Sequence, residues 1–177
     1  MHKKGRQVLA HSTARKQEPI RLKPKFQLQM IIHVAVTLKE IFRLGRNYRW
    51  QRPKRCPRCH CFKVWGHGFQ DTCFEGFKTL LPLKRWRCPQ CGCVICYRPK
   101  GYLPRFQSSI QTIRSVISHR LQCERWPSGF IRCRAGHWLQ SLKKQVDARL
   151  GNTWQSGLLA AFDYFIRQGQ IPVSRSI

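Results

Sequence analysis

Apolar residues are spaced differently in the two halves of the chain, and each spacing predicts a different kind of element. Residues 30–36 form a β-branched, apolar run, which predicts a buried strand. Thr37 and Glu40 have the spacing of a capping box, so a short helix should begin after Thr37 and end near Gly45. These two elements lead into the segment that carries most of the chemistry.

A hairpin is predicted next. Residues 62–69 and 77–87 have strand character, and residues 71–76 between them have the composition of a turn. The second strand alternates apolar and basic side chains near its end, where it carries Arg85 and Arg87. Because lysine and arginine outnumber acidic residues by 34 to 7 in the chain, we assign these two arginines to nucleic-acid binding.

After residue 104 the apolar period becomes that of a helix. Amphipathic helices are predicted over residues 108–121, 135–150 and 154–166, with a break at 127–129 between the first two. Three helices with such a break are compatible with a helix-turn-helix domain. Two Cys-x2-Cys pairs, at residues 56–59 and 88–91, flank the predicted hairpin and suit Zn²⁺. The predicted fold class is therefore α+β, a small β zinc ribbon followed by a helical, helix-turn-helix-like domain.

Four regions are predicted from these patterns. Their bounds are 1–29 for a disordered basic arm, 30–104 for the lead-in and ribbon, 105–168 for the helical domain, and 169–177 for a loose tail.

The net charge of the chain indicates which class of molecule it binds. The chain has 34 lysines and arginines against 7 acidic residues, a formal net charge of +27. An acidic polymer is the natural partner, and its phosphates would supply most of the affinity. A membrane surface is the rival partner, but no basic amphipathic helix, membrane span or signal peptide stands out. We expect a cytoplasmic, nucleoid-associated protein that does not bind membranes.

Two Cys-x2-Cys pairs, Cys56 with Cys59 and Cys88 with Cys91, are the strongest chemical signal. Four thiolates form a closed tetrahedral site that suits Zn²⁺ and leaves no position for substrate water. The sequence therefore predicts one structural zinc ion. The chain has 10 cysteines and no secretory signal, which favours reduced thiols and metal ligands over disulfides.

Three further cysteines leave the choice of ligands open. Cys61, Cys93 and Cys96 lie close to the two pairs, and with His60 or His67 they could hold a second metal. Packing is the favoured role for these three, because free cysteine buries like a small apolar residue.

The helix around Trp138 is the second candidate site. If it enters a DNA groove, its polar side chains would contact bases or phosphates, and otherwise they form an ordinary solvated face. The candidate residues are Arg132, Arg134, His137, Gln140, Lys143 and Lys144.

Catalysis is not expected. The chain has 7 acidic residues, and none is spaced to converge with others on Mg²⁺. No local pattern of a nucleophile with its base is evident either.

Several short motifs occur in a defined order. They are Leu38-Lys39-Glu40, Leu44-Gly45-Arg46, Cys56-Pro57-Arg58-Cys59, Trp65-Gly66-His67-Gly68 and Arg85-Trp86-Arg87-Cys88-Pro89-Gln90-Cys91-Gly92. With them, roughly residues 30–145 resemble the zinc-ribbon domains of insertion-sequence transposases, and more closely their short orphan relatives of unassigned function. The resemblance implies DNA binding linked to mobile elements, either recognition of element ends or regulation of a separate transposase. It does not extend to an acidic catalytic triad.

Three other functions stay open at this point. The chain could be an RNA- or ribosome-associated basic ribbon protein, an adaptor that holds a protein partner, or a non-catalytic transposase fragment. The oligomeric state is not predicted.

Overall fold

A computed structural model describes residues 29–174 of the 177-residue chain. Within that range the chain forms a four-stranded sheet and four α-helices, so the mixed α+β class is confirmed. The strands are β1 (Gln29–Val34), β2 (Trp65–Thr72), β3 (Leu81–Arg87) and β4 (Val94–Pro99). The helices are α1 (Leu38–Leu44), α2 (Ile110–Cys123), α3 (Arg132–Arg149) and α4 (Gly157–Arg167). The predicted basic arm, apart from its last residue, lies outside the described range.

The sheet has the strand order β1-β4-β3-β2. Strands β2, β3 and β4 are antiparallel neighbours in chain order, which short connections allow. Strand β1 pairs in parallel with β4, so the lead-in strand extends the hairpin into a mixed sheet. The hairpin and both cysteine pairs therefore lie in the part of the sequence that connects β1 to β4.

The lead-in helix forms as its sequence predicts. The Thr37 hydroxyl accepts a hydrogen bond from the backbone N–H of Glu40, and the Glu40 carboxylate accepts one from the backbone N–H of Thr37. This capping box satisfies two backbone donors at the start of α1. Leu38 and Ile41 are buried and pack α1 against Leu81 and Leu83 of β3.

Strand β4 lies in the middle of the sheet and was not predicted. All six of its residues are buried, including Arg98. Cys96 and Arg98 interrupt the apolar run of this segment. Cys96 is buried, in agreement with the packing role favoured for it from the sequence. The sequence signal that could have found the strand is Val94-Ile95-Cys96-Tyr97, which is β-branched, aromatic and apolar.

The hairpin strands differ slightly from their predicted bounds. Strand β2 extends to Thr72, past the predicted start of the turn, and β3 begins at Leu81 rather than residue 77. The ladder between β2 and β3 is irregular between Gly66 and Phe69, where Gly68 has a positive φ of 69°. A glycine there allows the local bulge that His67 occupies.

Helices α2, α3 and α4 share one hydrophobic core. Its largest fully buried side chains are Phe162, Phe165, Ile113, Ile117 and Leu142. Residues 124–131 separate α2 from α3, a longer connection than the three or four residues of a typical helix-turn-helix turn. The helix-turn-helix assignment therefore stays a prediction.

The core of the helices extends past the predicted domain bounds. Leu103 packs into it from the N-terminal side of the predicted bounds 105–168, and Val173 packs into it from the C-terminal side. The backbone N–H of Ser174 also donates to the Ser141 hydroxyl at 2.6 Å. The described part of the predicted loose tail is therefore attached to the helices.

The described chain is divided here into two units. Residues 29–102 form the sheet unit, and residues 103–174 form the helical unit. Of the helices in these two units, none is long and apolar enough to cross a membrane.

Candidate metal centre and nucleic-acid interface

The pairing of β2 with β3 brings the two Cys-x2-Cys pairs together. Trp65, the first residue of β2, is opposite Arg87, the last residue of β3. The first cysteine pair precedes β2 and the second follows β3, so an antiparallel pairing places both at the same end of the hairpin. The long gap between the pairs is taken up by the two strands.

Both pairs adopt the same backbone turn. The backbone N–H of Cys56 donates to the carbonyl of Cys61 at 2.8 Å, and that of Cys88 donates to the carbonyl of Cys93 at 3.0 Å. In each turn a residue with positive φ closes the loop, His60 in the first and Gly92 in the second. The two turns therefore have equivalent backbone geometry, and each positions two thiols.

The four sulfurs have the spacing of a tetrahedral site. All four ligand atoms lie within 4.8 Å of one another. The Sγ atoms of Cys56 and Cys91 are 3.7 Å apart, and those of Cys59 and Cys88 are 3.5 Å apart. Four sulfurs at about 2.3 Å from one Zn²⁺ would be about 3.8 Å apart. The cluster could hold a metal ion without rearrangement of the turns.

The environment of the thiols differs from one to the next. Burial alone would raise the pKa of Cys88, but hydrogen bonds from the backbone N–H of Cys91, the thiol of Cys59 and the backbone N–H of Gln90 lower it to about 6. The backbone N–H of Cys61 acts to lower the pKa of Cys59, but burial and the neighbouring thiols raise it to about 12. The pKa of Cys88 is therefore lower than that of Cys59, whose sulfur lies 3.5 Å away. Metal binding must release the remaining thiol protons.

The other three cysteines near the pairs do not form a second cluster. Among residues 29–174, Cys56, Cys59, Cys88 and Cys91 are the one group of three or more potential ligands. Cys61 and Cys93 occupy equivalent positions in the two turns, where their backbone carbonyls accept the closing hydrogen bonds. Cys96 is buried in β4, where its sulfur accepts a hydrogen bond from the Gln29 side chain at 2.8 Å. His67 sits in the β2 bulge, outside the cluster.

The candidate residues of α3 fall into two groups. Arg132, Gln140, Lys143 and Lys144 are exposed and share one side of the helix, opposite the buried side that carries Trp138. These four are accessible to a ligand.

The other two candidates on α3 already have partners in the protein. Arg134 forms an ion pair with Glu75 of the sheet unit at 3.9 Å. The Nε2 atom of His137 is 2.9 Å from the Ser174 hydroxyl. Both contacts give these side chains a structural role, one of them between the two units.

Arg85 and Arg87 lie on β3, apart from α3. Arg87 is exposed, and its cross-strand neighbour Trp65 is 58% exposed. Arg85 is half-buried, and its Nε has no hydrogen-bond partner among the described residues. Arg87 is therefore accessible to a ligand, whereas the guanidinium of Arg85 is only partly accessible.

Two features of the sheet unit were missed from the sequence. Arg98 is buried beneath Phe74, donates to the carbonyl of Phe106, and has its pKa lowered by burial. It joins the two units rather than facing a ligand. The second feature is the basic segment 49–55, which borders a groove beside Tyr97. From the sequence alone this segment is predicted only to lead into the first cysteine pair. Its place beside Tyr97 could not be predicted, because Tyr97 is distant in the sequence.

Comparison of the chain with family models, with curated proteins and with solved structures finds no match. The resemblance to transposase zinc ribbons therefore stays a prediction, and the function has to be argued from the residues of this chain.

Proposed function

We propose that this chain is a DNA-binding protein whose sheet unit is held together by one structural Zn²⁺. The observation that carries the proposal is the four-cysteine cluster in a chain of net charge +27. Four protein ligands fill the coordination of Zn²⁺, so the ion would stabilise the fold and leave the binding to the surrounding cations. Nothing in the proposal requires a catalytic step.

The acidic residues leave most of that positive charge uncompensated. Asp71 pairs with Arg46, Glu75 with Arg134, and Asp163 with Arg114, within the described range. Glu40 serves the α1 cap. The chain therefore has few carboxylates left to neutralise its remaining cations, and phosphate is the abundant anion that could do so.

The exposed side of α3 is the best-placed surface for a DNA duplex. It presents Arg132, Gln140, Lys143 and Lys144 from one 18-residue helix, and a major groove is wide enough to admit an α-helix. Glutamine and arginine can read base edges, and lysines can contact phosphates. Arg87, and Arg85 in part, would add contacts from the sheet unit.

The biological role that we propose follows from the resemblance stated above. A zinc-ribbon protein that binds DNA but performs no strand transfer would recognise the ends of a mobile element, or regulate a transposase supplied by another chain. An RNA-associated protein, a protein adaptor and a transposase fragment are the alternatives that the following experiment separates.

The test is selection of bound sequences from a random duplex DNA pool by the purified, zinc-loaded protein at two salt concentrations. We expect a recurring sequence motif that is recovered at both. Recovery of no motif, with all binding lost at the higher salt, would contradict sequence-specific recognition. Equal or tighter binding of structured RNA at matched salt would favour the RNA-associated function. Binding of neither nucleic acid would contradict the proposal as a whole.

A further inference from the structure

A groove of about 680 Å³ runs along the sheet unit between β1 and the segment 48–55. Strand β1 is at the edge of the sheet, so one wall of the groove is formed by an edge strand. Ile32, Val34 and Val36 line that wall, and the basic segment forms the other. Neither the zinc cluster nor α3 contributes a residue to it.

Trp50 lies between two other aromatic side chains of the groove, the half-buried Tyr48 and the buried Tyr97. The ring centroids of Tyr48 and Trp50 are 4.8 Å apart, and those of Trp50 and Tyr97 are 5.9 Å apart. The Tyr97 hydroxyl donates to the Gln51 carbonyl at 2.7 Å, which fixes the segment against the sheet. The indole Nε1 of Trp50 is buried and has no hydrogen-bond partner among the described residues. A buried donor of this kind normally has a partner.

Four basic residues flank these aromatic rings. Arg49, Arg52, Lys54 and Arg55 all line the groove and are exposed. No acidic residue lines it, and none occurs in the sequence from residue 41 to residue 70. None of the four forms an ion pair with a residue that the structure describes. The groove is therefore a strongly positive surface with aromatic walls.

We propose that this groove binds a single-stranded segment of nucleic acid. Bases would stack against the half-buried rings of Tyr48 and Trp50, and phosphates would contact the four cations. A positive groove with aromatic walls suits single strands, because each unpaired base exposes its ring face for stacking. In a duplex the same faces are covered by the neighbouring base pairs. The inference rests on the proposed function, and it adds that the nucleic acid bound by the sheet unit is single-stranded.

Charge argues against the basic arm of this chain as the occupant. Residues 1–28 contain eight lysines and arginines and one acidic residue. Placing such a segment beside Arg49, Arg52, Lys54 and Arg55 would set like charges against each other. A polyanion has the complementary charge, and its bases supply the ring faces that the aromatic walls accept.

The experiment compares the affinity of the zinc-loaded, full-length protein for a labelled single-stranded oligonucleotide and for the matching duplex. Arg52→Ala with Lys54→Ala removes two exposed cations from the groove. We expect single-strand affinity to fall about 10-fold and its salt slope to fall by about 1.4, at about 0.7 per lost phosphate contact. The matched control is Lys39→Ala with Lys78→Ala, which removes two exposed charges outside the groove and outside α3 and should leave single-strand affinity within about twofold. Lys143→Ala with Lys144→Ala, the α3 variant, is measured beside it for its loss of duplex affinity.

A second pair of variants tests the aromatic wall. Trp50→Leu keeps an apolar side chain but removes the stacking ring, and we expect about a 10-fold loss of single-strand affinity. Trp50→Phe retains a ring and should restore most of it. Unchanged zinc content and circular dichroism establish that each variant is folded. If Trp50→Leu does not fold, the exposed Arg52 and Lys54 pair decides the question.

Two results would overturn the inference in different ways. If both groove variants bind the single strand as tightly as the wild type, while the α3 variant loses duplex affinity, the groove is not the site and the proposed function stands. If the wild type binds neither the oligonucleotide nor the duplex at low salt, both the inference and the proposed function fail.

Discussion

The sheet unit and the helical unit are stabilised by different means. The helical unit has one core of 14 buried residues, which includes the large side chains Trp138, Phe162 and Phe165. The sheet unit divides its buried residues between clusters of seven and five, and three of the seven are cysteines around the proposed metal site. Small apolar cores leave little net stability once conformational entropy is counted. From this difference we expect the helices to persist through packing alone and the sheet to depend on the proposed metal.

Polar contacts connect the two units without merging their cores. The backbone N–H of Ile110 donates to the Gly101 carbonyl at 2.7 Å, and that of Glu75 donates to the Gln107 carbonyl at 3.1 Å. Arg98 adds a buried hydrogen bond from β4 to Phe106. Loss of the sheet should therefore disturb the edge of the helical unit but leave its interior packed.

The largest expected effect comes from removing the metal ligands. Cys56→Ser with Cys88→Ser should abolish zinc binding and unfold the sheet unit, because the binding free energy of a structural zinc, about 10–16 kcal/mol, is folding free energy. Zinc content and circular dichroism would measure both losses, with the helical signal largely retained. Cys73→Ser with Cys123→Ser is the control, since both thiols are exposed and outside the cluster. Full zinc stoichiometry in the first variant would contradict the assigned ligands.

The second effect tests the helical unit from its interior. Phe162 is fully buried, and Phe162→Ala should destabilise the helical unit by about 3–5 kcal/mol through lost burial and a cavity. Denaturant unfolding of the zinc-loaded protein would measure the change in free energy. Zinc affinity should stay at the wild-type value. An equal loss of zinc affinity would mean that the two units fold as one.

The third effect separates the two binding surfaces. Lys143→Ala with Lys144→Ala should weaken duplex binding and lower its salt slope by about 1.8, at about 0.9 per phosphate contact. Fluorescence anisotropy over a range of salt concentrations would measure both quantities. Arg52→Ala with Lys54→Ala is the reciprocal control and should affect the duplex less than the single strand. An unchanged slope in the first variant would remove α3 from the duplex interface.

The smallest effect concerns the ion pair between α2 and α4. Arg114 donates two hydrogen bonds of 2.7 Å to Asp163 and holds the pKa of that carboxylate below its usual value. Both side chains are about 40% exposed, so solvent screening limits the pair to about 0.5–1 kcal/mol. Because the folded pKa is depressed, the contribution is present above the unfolded pKa of about 3.9 and is lost as pH falls through the folded value.

A double-mutant cycle of Arg114→Ala and Asp163→Ala, followed through the unfolding of the helical unit, would measure this pair. A coupling energy that stays constant from about pH 7 to about pH 2 would contradict the assignment. At the acid end the thiols are protonated and zinc is released, so the helical unit is observed without a folded sheet.

Local signals made much of this fold predictable. The cysteine pairs, the Thr37 capping box and the helical periods each act within a few residues, so the sequence displays them directly. The groove and strand β4 depend on contacts between distant residues. Tyr97 reaches Gln51 across 46 positions, and Arg98 is buried through Phe74 and Phe106. No local sequence pattern predicts that an arginine will be buried in a sheet, or that a basic segment will border a groove lined by aromatic side chains.

The most direct test of the difference between the two units is amide hydrogen exchange, measured on the zinc-loaded protein and again after chelation. Protection in β2, β3 and β4 should be lost on chelation, while the amides of α3 and α4 that face the Phe162 core should keep theirs. Unchanged protection in the strands, or an equal loss in both units, would contradict this expectation.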